Sequence, residues 1–240
     1  MSRALFLDQL KADGLTLLVS LPTNSADLAR AAVAGGADGL KVHINVHHHA
    51  SGTHFGTLAE ESANLEAIIA AAQGRPVGIV PGGEQMASLD DMRRLDAMGI
   101  DFFDAYAHHM PAWMVRAPDL DMAAMVALGH QHDWGEVHAV GAQLAAEPTP
   151  WVDAVEASVV EPEGYGEALN TLDLARYRRL CETVCVPVMV PTQRAVAPDE
   201  VGLIADCGAA ALLIGAIVTG RQPHTIEAAT GDFRRAIDAL

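Results

Sequence analysis

The sequence predicts an α/β protein in which residues 1–240 form a single (β/α)8 barrel with an N-terminal helix. Short runs rich in Val, Ile and Leu alternate with longer amphipathic stretches, which is typical of repeated βα units around a parallel sheet. Eight such units fit 240 residues, because these barrels typically need about 250. A doubly wound open sheet is the alternative, but eight units are better closed than open.

The individual elements follow from the same alternation. The predicted strands are the short apolar runs at residues 15–21, 39–46, 76–80, 100–107, 120–128, 154–160, 186–190 and 210–217. The predicted helices lie between them, at residues 25–33, 58–72, 88–98, 111–115, 134–145, 172–184, 198–206 and 225–239. Ser25 and Ser88 stand just before acidic first turns and predict N-caps for two of these helices.

A weak internal repeat supports closure into a barrel. The similar segments lead into every second predicted strand and cover residues 35–43, 98–106, 150–158 and 207–215. Similarity at alternate units is what stacked layers of a barrel interior would leave in a sequence.

Composition excludes several classes of function. The chain is 50% hydrophobic and 19% charged, which excludes a disordered protein, and its net charge of −16 disfavours nucleic acid and anionic membranes as partners. Three cysteines are too few for a disulfide framework. Asp8 interrupts the N-terminal apolar run, so we expect no signal peptide there. We therefore expect a cytoplasmic protein whose partner is a small molecule.

Alternation of side chains along the strands predicts a polar barrel interior. On the second, fourth, sixth and eighth strands the inward residues are Lys41, His43 and Asn45; Asp104, Tyr106 and His108; Glu156 and Ser158; Leu213 and Gly215. The aligned repeats place Lys41, Asp104, Glu156 and Leu213 in a lower layer and His43, Tyr106, Ser158 and Gly215 in an upper one.

A buried lysine beside two carboxyl groups has either a structural or a catalytic reason. It can be an ion-pair triad that holds the barrel together, or a reaction centre, because barrel active sites lie at the carboxyl ends of the strands. As a catalyst, Lys41 can form a Schiff base or remain charged and hold an enolate while Asp104 or Glu156 moves a proton. Sequence alone leaves both chemistries open.

Residues 186–220 resemble the last two units of the ribulose-phosphate-binding barrels, which include phosphosugar epimerases and indole-glycerol-phosphate synthases. The resemblance implies that loops after strands seven and eight bind a phosphate. The matching positions are Thr192, Gln193, Arg194, Gly215, Ala216 and Thr219. The paired glycines usual after strand seven are replaced here by residues 191–194, so the side chain of Arg194 or Gln193 would take over part of the backbone's role.

The histidines raise the question of a metal. The pair His43 and Asn45 resembles the metal-binding His-x-Asp of ribulose-phosphate epimerases, but only His43 carries over, so we expect that metal site to be absent. We predict no cofactor, with a different divalent metal as the open alternative. Its ligands would come from His47, His48, His49, His54, His108, His109, His130 and His132.

Three loops have further candidate roles. Residues 81–84 form an anion-binding nest or a plain tight turn, with Glu84 at the barrel mouth. The glycines of residues 162–167 predict a lid or simply a mobile loop. The apolar residues 110–114 predict a subunit contact or a pocket wall, and with them a homo-oligomer.

The preferred function is an isomerase or epimerase that transfers a proton next to a carbonyl of a small phosphorylated sugar or sugar derivative. Lys41 would hold the enolate, Asp104 and Glu156 would act as base and acid, and His43 would orient or share the proton. Asn45, Glu84, Tyr106 and Ser158 are further candidate substrate contacts. The alternatives are a Schiff-base lyase that uses Lys41, and a barrel that binds a metabolite or protein without catalysis.

Overall fold

The computed structural model describes residues 2–12, 14–114, 119–129 and 152–240. Its strands are β1 Thr16–Ser20, β2 Gly39–His43, β3 Val46–His48, β4 Thr53–Phe55, β5 Val77–Val80, β6 Phe102–Tyr106, β7 Ala123–Ala127, β8 Ala154–Glu156, β9 Val188–Pro191 and β10 Ala211–Ile214. Its α-helices are α1 Ser2–Leu10, α2 Ala26–Ala34, α3 Leu58–Ala71, α4 Leu89–Met98, α5 Thr171–Thr183, α6 Val201–Ala205, α7 Ala216–Thr219 and α8 Pro223–Asp238, and 3₁₀ turns cover Pro162–Gly164 and Pro198–Glu200.

Eight of these strands form a closed parallel barrel. Its order is β1-β10-β9-β8-β7-β6-β5-β2, and the register joins Val19 to both Ile214 and Leu40, which closes the ring at β1. The predicted (β/α)8 barrel and its N-terminal helix are therefore confirmed. The predicted helix at 134–145 and the end of the one at 111–115 lie outside the described residues.

The second barrel strand is shorter than the predicted 39–46. It ends at His43, and Asn45 takes a left-handed conformation with φ of 52°, which asparagine tolerates better than most residues. The chain then forms the antiparallel hairpin of β3 and β4, in which Val46 pairs with Phe55. Asn45 is therefore a turn residue and not the third inward residue of a strand, which corrects the prediction.

Two other predicted strands also end early. The run at 154–160 leaves the sheet after Glu156, so Ser158 sits just beyond the strand. The run at 210–217 turns after Ile214 into α7, a short helix absent from the sequence prediction. In both places apolar residues continue past the strand because the loop packs on the core, so hydrophobicity alone cannot mark the end.

The barrel interior is divided between an apolar lower half and a polar upper half. Phe6 of α1 closes the lower end, where its ring stacks on Phe102 of β6 at a centroid distance of 3.9 Å. Leu18, Met125 and Met189 complete this inner cluster. Gly78 makes room for it, since a Cβ there would lie 2.1 Å from the Phe102 ring. The buried Lys41, Asp104 and Glu156 lie above this cluster, toward the carboxyl ends of the strands.

The capping residues predicted from the sequence explain the start of one helix but not of another. The Ser88 hydroxyl accepts a hydrogen bond from the Asp91 backbone N–H at 3.1 Å and caps α4 as predicted, whereas the Ser25 side chain makes no capping bond at α2. Across the described part of the chain, every helix is too short or too polar to cross a membrane.

Candidate active site

Three strands bring a lysine and two carboxyl groups together at the upper end of the barrel. The side chain of Lys41, on β2, ends between Asp104 of β6 and Glu156 of β8. Its Nζ lies 2.7 Å from Asp104 Oδ2 and 2.5 Å from Glu156 Oε2. The three side chains are at most 7% exposed. The alternation of β2, β6 and β8 therefore places these residues in one layer, as predicted.

The proton count of this triad follows from its burial. Burial lowers the pKa of Lys41, but the two carboxyl groups outweigh burial and raise that pKa above its usual value. Burial also raises the pKa of Asp104 well above its usual range, and the nearby Glu156 adds to the effect. For Glu156, burial is opposed by Lys41 and by hydrogen bonds from Asp104 and Ser158, which lower its pKa to about 2. The pKa values of the two carboxyl groups are thus driven apart, upward for Asp104 and downward for Glu156, so Glu156 is the carboxyl group of the pair that loses its proton more readily.

His43 lies directly above Lys41 and is held by its backbone. The Asn24 amide donates to the His43 carbonyl oxygen at 2.7 Å, and its oxygen accepts from the His43 N–H at 3.4 Å. The His43 ring is 1% exposed and stands 4.4 Å from the ring of His48, and within the described ranges its Nδ1 has no hydrogen-bond partner. Burial, His48 and Lys41 together lower the pKa of His43 well below its usual value, so it is a neutral imidazole.

The hairpin of β3 and β4 forms one wall of the mouth. His48 accepts or donates a hydrogen bond at Nδ1 with Ser51 Oγ at 2.9 Å, and burial, reinforced by Lys41, lowers the pKa of His48 to about 4. His47 instead pairs across the hairpin with His54. Within the described ranges no three His, Cys, Asp or Glu side chains are grouped to hold a metal, and His130 and His132 lie outside those ranges.

A cavity of about 500 Å³ opens above the triad. Asp104 and Glu156 form part of its floor, and Asn45, Glu84 and Tyr106 line it as predicted. Further lining comes from the imidazoles of His43, His47, His48, His49 and His109. The loop carrying Glu84 is a tight turn, closed by a bridge between Gly82 and Met86. Hydrogen-bonding side chains therefore dominate the wall, and the exposed Glu84 lies at the rim.

A second, smaller pocket of about 80 Å³ lies on the other side of the triad. It shares Lys41, His48 and Glu156 with the larger cavity and extends to the loops after β9 and β10. Ser20, at the end of β1, lines this pocket with a hydroxyl that is buried and has no hydrogen-bond partner among the described residues. Ser20 is not predicted from the sequence, because a serine that ends an apolar strand has no distinguishing pattern.

Of the six residues expected at a phosphate, four line this pocket: Thr192, Gln193, Gly215 and Ala216. The Gly215 N–H donates to Thr192 Oγ1 at 3.1 Å and is already used within the protein, but the lack of a side chain at Gly215 keeps the pocket open toward Ser20. Thr219 does not line the pocket, since its hydroxyl donates to the Gly220 carbonyl at 3.0 Å. This position corrects the prediction that Thr219 contacts the phosphate.

Arg194 is also turned away from the pocket. Its guanidinium makes a bidentate contact with the buried Asp173, with Nε to Oδ2 at 2.8 Å, and donates to Glu167 and to the Gly164 carbonyl. The arginine thus fixes the loop after β8 against α5. This corrects the prediction that Arg194 contacts the phosphate, because its guanidinium is already paired with the carboxylate of Asp173 inside the protein.

That loop, residues 160–170, is pinned at several points and makes a wall of the mouth. Gly166 N–H donates to the Gln193 carbonyl at 2.9 Å, and Gln193 Nε2 donates to Tyr165 Oη at 2.7 Å. The Tyr165 ring meets His49 of the hairpin edge to face at 5.5 Å. Tyr165 was not singled out from the sequence, where it stood only as part of a glycine-rich loop.

The apolar segment at 110–114 is only partly packed into the core. Met114 is buried and Met110 packs, half-buried, against the outer cluster, whereas Ala112 and Trp113 are exposed, Trp113 by 37%. The subunit contact predicted for this segment, and with it self-association of the protein, stays a prediction.

The chain matches no protein-family model and no curated protein. Among solved structures it is similar to a tryptophan synthase from M. tuberculosis, with 16% identity, a TM-score of 0.71, and coverage of 97% of this chain and 96% of that one. It is also similar to phosphoribosyl anthranilate isomerase from Thermus thermophilus, with 14% identity, a TM-score of 0.65, and coverage of 92% and 99%. A third is (S)-3-O-geranylgeranylglyceryl phosphate synthase from Thermoplasma acidophilum, with 16% identity, a TM-score of 0.59, and coverage of 98% and 97%. These structural neighbours are TIM-barrel enzymes, and at such identities they establish the fold alone.

Proposed function

We propose that this protein is an isomerase or epimerase that moves a proton next to the carbonyl of a small phosphorylated sugar or sugar derivative. The observation that carries the proposal is the bridge from Lys41 to both Asp104 and Glu156 on the floor of an open cavity. Two carboxyl groups whose pKa values are driven apart in one site give an acid and a base.

The roles follow from the protonation states. Glu156, as carboxylate, removes the proton from the carbon next to the carbonyl, and the Lys41 ammonium stabilises the negative charge that develops on the carbonyl oxygen. As Lys41 turns its hydrogen bond toward that oxygen, it releases Glu156, which then becomes a stronger base. Neutral Asp104 returns a proton to the intermediate. The hydrogen bond between Asp104 and Glu156 lets the gained proton pass back and restores the starting state.

The charge on Lys41 argues against the lyase alternative. A Schiff base needs a neutral amine, whereas the two carboxyl partners raise the pKa of Lys41 above its ordinary value. The same charge is what an enolate requires. A cationic lysine in contact with a carboxylate therefore favours proton transfer over covalent catalysis.

Support for a phosphorylated substrate comes from the small pocket. It offers the hydroxyl of Ser20, which has no partner among the described residues, the hydroxyl of Thr192 and the space left by the missing side chain at Gly215, next to the charge of Lys41. The structure of the Thermoplasma neighbour is described as a complex with its substrate sn-glycerol-1-phosphate. In our proposal the phosphate occupies the small pocket and the sugar chain extends into the larger cavity, where imidazoles hydrogen-bond its hydroxyl groups.

The test is exchange of substrate hydrogen with solvent. A panel of aldose and ketose phosphates, with their unphosphorylated partners, is incubated with the protein in D₂O and followed by ¹H NMR. We expect loss of the proton next to the carbonyl in at least one phosphorylated compound. Glu156→Gln and Lys41→Met should each lower that exchange rate by about 10²-fold or more, because each removes a group acting in the transition state.

Glu66→Gln, an exposed glutamate on α3, serves as the matched control and should exchange at the wild-type rate. Exchange that persists in folded Glu156→Gln protein would exclude Glu156 as the base. A substrate trapped on Lys41 by borohydride would establish the lyase instead. Binding of one compound without exchange or conversion would identify a non-catalytic barrel.

A further inference from the structure

Arg221 is an exposed arginine at the rim of the small pocket. Its guanidinium Nη2 lies 3.8 Å from the place where a Cβ would stand on Gly52, in the turn that joins β3 and β4. Ala50 of the same turn lines the small pocket, and so does Ala216 of α7, the helix that precedes Arg221. Among the described residues, Arg221 makes no ion pair and no side-chain hydrogen bond. The side chain therefore ends beside the pocket wall with its charge unpaired.

The backbone of Arg221 is held on both sides. Gly220, with a left-handed φ of 66°, ends α7 and donates its N–H to the Ala216 carbonyl at 3.2 Å. On the other side, the Gln222 N–H donates to Thr225 Oγ1 at 3.3 Å at the start of α8. The guanidinium can therefore move toward a ligand from a fixed backbone, without breaking a contact in the described part of the chain.

A phosphate in the small pocket would meet little uncommitted positive charge from the described lining residues. Lys41 is the only lysine or arginine among the described residues that line either pocket, and its ammonium already contacts Asp104 and Glu156. Arg194 is paired with Asp173. A phosphate monoester carries about two negative charges near neutral pH, and the chain as a whole carries −16. A phosphate bound here therefore needs a second cation.

We propose that Arg221 is a specificity-determining residue whose guanidinium moves over the rim and binds the solvent-facing oxygens of a phosphate group in the small pocket. This inference rests on the proposed function, in which that pocket holds the phosphate. The deeper oxygens meet the hydroxyls of Ser20 and Thr192, whereas Arg221 adds a planar pair of N–H donors that fits two phosphate oxygens at once. Arg221 thereby makes the protein prefer phosphorylated compounds to their unphosphorylated partners.

Binding of inorganic phosphate tests this contact without a substrate. A ³¹P NMR titration gives the dissociation constant for the wild-type protein, Arg221→Gln, Arg221→Lys and Arg179→Gln. Arg179 is an exposed residue of α5 outside both pocket linings, and its replacement changes the net charge equally. We expect Arg221→Gln to weaken phosphate binding by about tenfold, because a charge-assisted hydrogen bond is lost. Arg221→Lys should restore part of the affinity, and Arg179→Gln should keep the wild-type value.

A further variant shows whether the titrated phosphate lies in the small pocket. Gly215 has an extended backbone that alanine adopts, and a Cβ there would stand 3.5 Å from Ser20 Cβ, in the space proposed for the phosphate. Gly215→Ala should therefore weaken phosphate binding by about tenfold or more, and adding Arg221→Gln should then have a smaller effect than in the wild type.

Three results of the titration would overturn the role of Arg221. The first is weakened binding in Gly215→Ala together with wild-type affinity in Arg221→Gln, which would keep the pocket but remove the arginine from it. The second is equal weakening in Arg221→Gln and Arg179→Gln, since only net charge would then matter. The third is a wild-type protein that binds no phosphate at about 10 mM, well above the constant expected for even a weak site.

The exchange assay separates this inference from the proposed reaction. With a phosphorylated compound that exchanges, Arg221→Gln should raise KM by about tenfold and leave kcat within about twofold of the wild type. Any exchange of the unphosphorylated partner should keep the wild-type rate. A lower kcat with unchanged KM would contradict a binding role for Arg221. If no compound exchanges, the proposed function fails, whereas the phosphate titration still decides whether Arg221 holds an anion over the pocket.

Discussion

At the residue scale, the site depends on charges that are balanced inside the barrel. Lys41 meets two carboxyl groups whose pKa values shift in opposite directions: burial and the nearby Glu156 raise that of Asp104, while Lys41 and hydrogen bonds from Asp104 and Ser158 lower that of Glu156. Among the described residues Asp104 Oδ1 has no hydrogen-bond partner, and Asp104 lines the cavity. A carboxyl group with a raised pKa beside one with a lowered pKa is the pair that the proposed acid and base require.

His48 should make stability depend on pH. Its pKa is about 4 in the folded protein and about 6.5 when unfolded, so the unfolded state binds the proton first and stability present above pH 6.5 is lost as pH falls toward 4. Between pH 7 and 5 the loss from this imidazole is about 2 kcal/mol, from about 1.5 pH units at 1.36 kcal/mol each. The measurement is the free energy of unfolding in urea at both pH values.

The comparison that isolates His48 uses two variants. His48→Gln should flatten the difference between pH 7 and 5 relative to wild type, since the other titrating groups contribute equally to both proteins. His224→Gln replaces an exposed imidazole at the start of α8 and should keep the wild-type difference. An undiminished difference in His48→Gln would show that the His48 ring is protonated in the folded protein.

At the element scale, the loop after β8 is fixed by one buried ion pair. Asp173 on α5 is 1% exposed and Arg194 11%, so this contact differs in kind from the pairs on the surface. Arg194→Met leaves Asp173 as an uncompensated charge and should cost about 3–5 kcal/mol of unfolding free energy. Arg93→Met, which breaks exposed pairs with Asp90 and Asp119, should cost at most about 1 kcal/mol.

Urea unfolding of both arginine variants checks this difference. Arg194→Met should also speed hydrogen exchange of the Gly166 amide, which bonds the Gln193 carbonyl in the pinned loop. Equal losses for Arg194→Met and Arg93→Met would mean that the buried contact contributes no more than a solvated one.

The same elements explain how far the sequence could predict the site. Along β2, β6 and β8 alternation is imposed by the backbone, so Lys41, Asp104 and Glu156 could be placed in one layer before any coordinates. Beyond the strand ends the alternation of side chains stops, so the pattern no longer tells which way a residue points. Alternation therefore wrongly predicts an inward Asn45. The sequence also does not reveal that the partners of Arg194 lie in a distant loop and helix. Ser20 and Tyr165 could be recognised only in the structure, because their interest depends on which hydrogen-bond partners each hydroxyl has or lacks.

At the scale of the whole molecule, α1 closes the lower end of the barrel far from the chemistry. Phe6 is fully buried and packs against Phe102, Leu18 and Met189. Phe6→Ala should lower the unfolding free energy by about 3–5 kcal/mol through lost burial and an unfilled cavity. Leu5→Ala, at a 43% exposed position of the same helix, should change it by no more than about 0.5 kcal/mol.

Urea unfolding measures both variants, and the exchange assay is run on each below its unfolding transition. Phe6→Ala should keep the wild-type kcat, because the triad side chains are carried by β2, β6 and β8 and are held by their contacts with one another. A stable but inactive Phe6→Ala protein would show that the packing of α1 into the lower end of the barrel also sets the position of the triad.

The hairpin of residues 46–55 has an evolutionary consequence. Its two strands pair with each other and not with the barrel, so its length and composition can drift without changing the register of any barrel strand. It nevertheless supplies His47, His48 and His49 to the cavity wall. In the proposed function, substrate range can therefore diversify within this short segment without change to the acid and base, which makes the hairpin the natural place to randomise when altering what the protein accepts.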